Sequence, residues 1–174
     1  MSEKIKILKF GGPSIANADC IRHVVGIIQH QNKKSGLAIV VSALKGVTNQ
    51  LISLAESAAK GEDFESDFHS FVQQHMNVVK ELFSDNDTDI RCRLDDYFNE
   101  LKSDLSSLFI ELKLTSQSRD KILSYGELLS STIISQLLSQ KNIPSEQLDA
   151  CKVILTDDNF GSAHVHYQKS YNRI

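Results

Sequence analysis

The sequence predicts an α/β fold: a mainly parallel sheet sandwiched by helices, with a long helical hairpin inserted into it. Three observations predict this. Two short apolar runs, Ile5–Phe10 and Leu37–Val41, each end in a small polar loop that runs into an amphipathic helical pattern. Strand, helix and strand within about 40 residues form a βαβ unit, which makes the two strands parallel. Residues 62–115 then hold helical period almost throughout and read as a hairpin of two helices.

Taken in order, residues 5–10 read as a buried strand because Ile5, Ile7, Leu8 and Phe10 are all apolar. Asn17 or Asp19 can cap the first helix, whose Ile21, Val24, Val25 and Ile28 fall on one face. Polar residues from Asn32 to Gly36 stop it. Leu37-Ala38-Ile39-Val40-Val41 is an unbroken apolar run, suited to a strand covered on both faces. A second helix follows, carrying Leu51, Ile52, Ala55, Ala58 and Ala59, and Gly61-Glu62-Asp63 breaks the chain.

In the hairpin, Phe64, Phe68, Phe71, Val72, His75, Val79, Leu82 and Phe83 keep helical period. Residues 84–89 make an acidic turn. Ile90, Leu94, Tyr97, Phe98, Leu101, Leu105, Leu108 and Leu112 then continue the pattern to about Lys113. A short connection makes such a pair antiparallel. Its stripes read as core, so the insertion is expected beside the sheet, without chemistry of its own. Ser116-Gln117-Ser118 can cap a further helix to Lys141, with Ile122, Tyr125, Leu129, Ile133 and Leu137. Beyond Pro144, Cys151–Leu155 reads as a third strand, followed by a polar turn at 156–162 and a His- and Tyr-containing tail. Three or four strands fall short of the 5–6 of a mean sheet, so the chain reads as the first part of a larger domain.

Composition bounds the function. At 174 residues, 41% hydrophobic, the chain can bury a real core, and its formal charge of -3 implies no nucleic-acid surface. No window approaches the roughly 18 continuous apolar residues of a membrane span. Only Met1–Lys4 precede the first strand, too few for a signal peptide. Cys20, Cys92 and Cys151 are odd in number and far apart, which fits neither a disulfide framework nor a metal knuckle and points to a reducing cytoplasm. His164 and His166 form one close pair without further ligands, so no metal site is expected, and Asp157-Asp158 suits an Asx turn.

Chemistry concentrates at the carboxyl ends of the first two strands, the edge where open α/β sheets bind ligands. In Lys9-Phe10-Gly11-Gly12-Pro13-Ser14 the glycines let backbone approach a phosphate, and Lys9 can neutralise phosphoryl charge. The same residues also describe a tight strand–helix turn with a solvated lysine. There is no Walker A pattern. Ser42 and Thr48 flank the second loop as candidate ligands of a small polar substrate, Thr48 being equally suited to capping a helix; Lys45 reads as a solvated charge. Gly126 inside a helix costs about 1 kcal/mol against alanine and implies close approach of a ligand or backbone. Glu127 beside it is either a substrate-facing carboxylate or an exposed helix residue.

Together these motifs resemble the aspartate kinases. Lys9-Phe10-Gly11-Gly12-x-Ser14 resembles their K-F-G-G-T-S, and Val40-Val41-Ser42-Ala43 with Gly46-Val47-Thr48-Asn49 resembles V-V-S-A and G-x-T-N/D. Ser124-Tyr125-Gly126-Glu127-Leu128-Leu129-Ser130 resembles S-x-G-E-x-x-S. Leu148-Asp149-Ala150 and Thr156–Gly161 resemble the segment that follows, in the same order. The resemblance implies an amino-acid-kinase fold and phosphoryl transfer from ATP, with Mg²⁺ on its phosphates, to L-aspartate. It places Lys9, Gly11, Gly12 and Ser14 on the phosphates, with Lys9 catalytic, and Ser42, Thr48 and Glu127 on aspartate, Glu127 facing the ammonium group. Pro13 stands where the family has threonine, removing one N–H and pushing Gly12 toward extended geometry. Family members are much longer, some continuing into a homoserine dehydrogenase. Residues 1–174 are therefore expected to be an N-terminal, aspartate-binding lobe, inactive alone and oligomeric only in the complete protein. The alternatives are another amino-acid kinase or a non-catalytic aspartate-binding module.

Overall fold

The computed structural model describes residues 5–32, 36–83 and 87–173. The leader reading of Met1–Lys4, the centre of the polar stop at 33–35 and residues 84–86 of the acidic turn lie outside these. Two parallel strands, β1 (Ile5–Phe10) and β2 (Gly36–Val41), pair in register from Ile5 with Gly36 to Phe10 with Val41. A 3-10 turn (Gly12–Ile15) leads into α1 (Ala18–Asn32), and β2 leads into α2 (Val47–Ala59). Then come α3 (Glu65–Phe83), α4 (Thr88–Glu111), α5 (Ser116–Gln140) and two short helices, α6 (Ala150–Val153) and α7 (Tyr167–Tyr171).

The α/β class holds, and the predicted stripes become the core. Ile21, Val24, Val25 and Ile28 of α1 are buried, as are Ile90, Leu94, Phe98, Leu101, Leu105 and Leu108 of α4. The first helix takes Asn17 as its cap, its Oδ1 accepting from the Cys20 N–H, while Asp19 pairs with Arg22. α5 starts one residue earlier than expected: Thr115 and Ser118 form a reciprocal capping box. Leu112 leaves the α4 stripe because the helix ends at Glu111, where Leu112 turns left-handed and exposed.

Three expectations change. The hairpin α3–α4 packs on α2 and α5, so it thickens the helical layer instead of lying beside the sheet. The sheet is covered on one face only: alternation sends Leu8, Phe10, Leu37, Ile39 and Val41 toward the helices, but Ile5 (70% exposed), Ile7 (71%) and Val40 (47%) toward solvent. The third strand does not form. The Asp149 side chain caps α6 through the Cys151 N–H, and the run then continues extended into a single antiparallel bridge, Thr156 with Val165. Only Val153 of that run is buried, so apolar composition found no sheet to enter.

His75 lies buried on α3 between the rings of Phe71 and Phe98. Its Nδ1 meets the Phe71 carbonyl at 2.9 Å, while Nε2 finds no partner among the described residues. Desolvation holds its pKa down from 6.5 to about 4, against a smaller upward pull from the Phe71 carbonyl. An unfolded chain therefore binds a proton that the folded one refuses. The contribution is fully present above pH 6.5 and is lost as pH falls toward 4, on the order of 3 kcal/mol. Urea unfolding across this window should show that loss, and the His75→Phe variant should show a shallower slope. An equal slope in both proteins would contradict it.

Candidate active site

At the carboxyl edge of the sheet, the last ladder hydrogen bond runs from the Ser42 N–H to the Phe10 carbonyl at 3.1 Å. The next peptide unit, Ser42–Ala43, has left the sheet and is part-buried, with Ala43 only 2% exposed. Its two polar groups need partners, since an unpaired buried amide or carbonyl costs about 1–3 kcal/mol. α5 supplies both. The Ala43 N–H donates to Glu127 Oε1 at 3.1 Å, and the Ser130 hydroxyl donates to the Ser42 carbonyl at 2.7 Å. Glu127 and Ser130 stand three residues apart on one helix face, spacing that spans a trans peptide whose N–H and C=O point in opposite directions.

This grip needs a close approach. A Cβ on Gly126 would stand 2.7 Å from the Ala43 Cβ and 3.2 Å from Val47 Cγ1. The mid-helix glycine therefore serves helix–loop packing, not a ligand. Gly12 does the same on the opposite side, where a Cβ would lie 3.2 Å from the Ala43 carbonyl oxygen. Three segments that are remote in sequence thus converge on Ala43: the loop after β1, the loop after β2, and the middle of α5.

The other predicted side chains, Lys9, Ser14, Thr48 and Glu127, are exposed. Lys9 ends β1 on the uncovered sheet face, opposite Val40, and makes no ion pair among the described residues. Ser14 is exposed, its N–H spent on the Gly11 carbonyl at 2.9 Å and its hydroxyl free of the turn. Thr48 is not the helix cap. That position belongs to Gly46 at φ 86°, and Thr48 sits exposed in the first turn of α2. Glu127 is exposed and keeps its second carboxylate oxygen clear of the Ala43 contact. Lys45 is exposed, as expected.

Pro13 stands in the first turn of the 3-10 helix. A helix-opening N–H has no partner within the helix, so proline removes no bond that the turn itself needs. The extended residue is Gly11 (φ -80°, ψ 169°), and Gly12 already belongs to the turn, so proline's restriction does not displace it. Ser130 and Ala43 were not singled out individually, although both lie inside quoted motifs. Neither carries an ionisable group, and their roles depend on packing.

Aspartokinase III of Escherichia coli, in complex with aspartate and ADP, superposes with a TM-score of 0.85 at 21% identity, covering 98% of this chain and 36% of that one. The model of the amino acid kinase family matches residues 4–174, and the chain belongs to that family. Among curated relatives, the bifunctional aspartokinase/homoserine dehydrogenase of Buchnera aphidicola is 27% identical over 98% of this chain and 21% of its own length. Lysine-sensitive aspartokinase 3 of Escherichia coli is 30% identical over 94% of this chain and 34% of its own length. The chain thus spans about a fifth to a third of these relatives. No helix among the described residues is long and apolar enough to cross a membrane.

The close approach at Gly126 is directly testable. Gly126→Ala should destabilise the chain by about 1–3 kcal/mol through overpacking, despite alanine's better helix propensity. Ala43→Gly in the same chain should recover part of that loss, as read from urea midpoints. Simple additivity of the two changes would contradict the contact.

Proposed function

We propose that this chain is the N-terminal, aspartate-binding lobe of a cytoplasmic aspartate kinase, with residues 62–115 as a helical insertion within it. The observation that carries this reading is the convergence on Ala43, which seats a carboxylate, Glu127, among loops bearing Ser42 and Thr48 and beside a glycine turn with Lys9. The reaction joins a side-chain carboxylate oxygen of L-aspartate to the γ-phosphorus of ATP and breaks the bond from that phosphorus to the β–γ bridging oxygen. It releases ADP and 4-phospho-L-aspartate, the first step toward lysine, threonine and methionine.

The attacking group is already an anion, so no general base is required; the demand is for positioning and for cations that tolerate spreading negative charge. In this reading Glu127 receives the substrate ammonium on its free oxygen. Ser42 and Thr48 hydroxyls hold the carboxylates. Lys9 neutralises the phosphoryl oxygens, and Gly11, Gly12 and Ser14 form the wall on the phosphate side. Mg²⁺ comes bound to the nucleotide phosphates, where it offsets their charge. The bare outer face of the sheet, with Ile5 and Ile7 exposed, supports a second lobe completing the nucleotide site, and oligomer formation is assigned to the complete protein.

Two measurements test the reading. The 174-residue chain should bind L-aspartate in calorimetry yet release no ADP at full rate from aspartate and ATP; full-rate turnover would overturn the lobe assignment. In the complete kinase, Lys9→Ala should lower kcat by about 100-fold or more in coupled ADP release, and near-normal activity would remove Lys9 from the mechanism.

A further inference from the structure

Ser130 lies outside the residues assigned to substrate. It is fully buried and carries no charge. Yet its hydroxyl makes the shorter of the two bonds on the Ser42–Ala43 peptide, 2.7 Å to the Ser42 carbonyl against 3.1 Å from the Ala43 N–H to Glu127. The second oxygen accepting from Ser130 is its own helix's Glu127 carbonyl at 3.1 Å, an ordinary local contact that any helical serine can make. The long-range bond is the informative one, because it links residues 88 positions apart in sequence.

We infer that Ser130 is a positioning residue for substrate, acting through Ser42: its hydroxyl fixes the plane of the Ser42–Ala43 peptide and thereby sets where the Ser42 side chain and the Glu127 carboxylate face. A peptide held at its N–H alone can still rock about that contact. Held at both ends, it has one orientation, and the Glu127 oxygen that accepts from Ala43 is fixed with it. This role rests on the aspartate reading above.

A matched control lies two residues further on, on another face of the same helix. Thr132 is equally buried on the same helix, and its hydroxyl donates to the Leu128 carbonyl at 2.7 Å and to Gln147 Oε1 at 2.9 Å, neither of which belongs to the substrate loops. Both Ser130→Ala and Thr132→Ala remove a buried hydroxyl and its hydrogen bonds.

The experiment is L-aspartate calorimetry on the whole chain, with ¹⁵N spectra of the Ala43 amide. Ser130→Ala should weaken aspartate about 3- to 10-fold, the equivalent of one lost hydrogen bond, and should move the Ala43 resonance. Ser130→Thr, which keeps the hydroxyl, should restore both. Thr132→Ala should leave affinity and resonance at wild-type values. Failure of wild type to bind aspartate would overturn the aspartate reading, and the positioning role with it. Wild-type binding with unchanged Ser130→Ala affinity would overturn the positioning role alone, as would an equal loss in Thr132→Ala. Should Ser130→Thr not fold, the comparison of the two alanine variants decides.

Discussion

The molecule depends on how one peptide unit is satisfied after it leaves the sheet. Ser42–Ala43 is the first amide past the last ladder bond of β2, and it is part-buried, with Ala43 itself almost wholly so. The chain answers with side chains from a helix more than 80 residues further on, Glu127 for the N–H and Ser130 for the carbonyl. Everything at the candidate site follows from that docking. Gly126 exists so that α5 can come close enough, and Gly12 so that the first loop can reach the Ala43 carbonyl from the other side. Of the exposed residues Lys9, Ser14, Thr48 and Glu127, it is Glu127 that this docking holds directly.

This arrangement gives the S-x-G-E-x-x-S pattern a physical content. Its glycine is a packing residue, its glutamate both an anchor and a free carboxylate oxygen, and its final serine the second anchor. The arrangement also separates two demands that conflict in one residue: burial, which Ser130 accepts, and exposure at the surface, which Glu127 retains.

Much of this was legible in the sequence, and the exceptions share a cause. The stripes of α1 and α4 were readable because 3.6-residue periodicity is a local property of Ile21–Ile28 and Ile90–Leu108. The loops were readable because glycine, serine and lysine after an apolar run are local signals too. Cys151–Leu155 failed because an apolar run becomes a strand only where a partner strand waits, and here Asp149 offered a helix cap first. The two-sided burial expected of β2 failed for the same reason, since Val40 faces a side on which the described residues leave it 47% exposed. Gly126 was recognised as anomalous, but Ala43, the residue it accommodates, lies 83 positions away and left no mark of its own. Pro13 carried a different lesson: its fit to the backbone could be judged only once the turn was seen to be a helix start, where proline is tolerated.

The central claim is that the Ser42–Ala43 peptide is clamped at both its N–H and its carbonyl, whereas no hydrogen bond is seen from the Lys45 or Gly46 amide among the described residues. Amide hydrogen exchange on the intact chain tests it most directly. The account predicts that the Ala43 amide exchanges nearly as slowly as core amides of α5 such as Leu129, while Lys45 and Gly46, two and three residues on, exchange orders of magnitude faster. An Ala43 amide that exchanges as fast as Lys45 would contradict it.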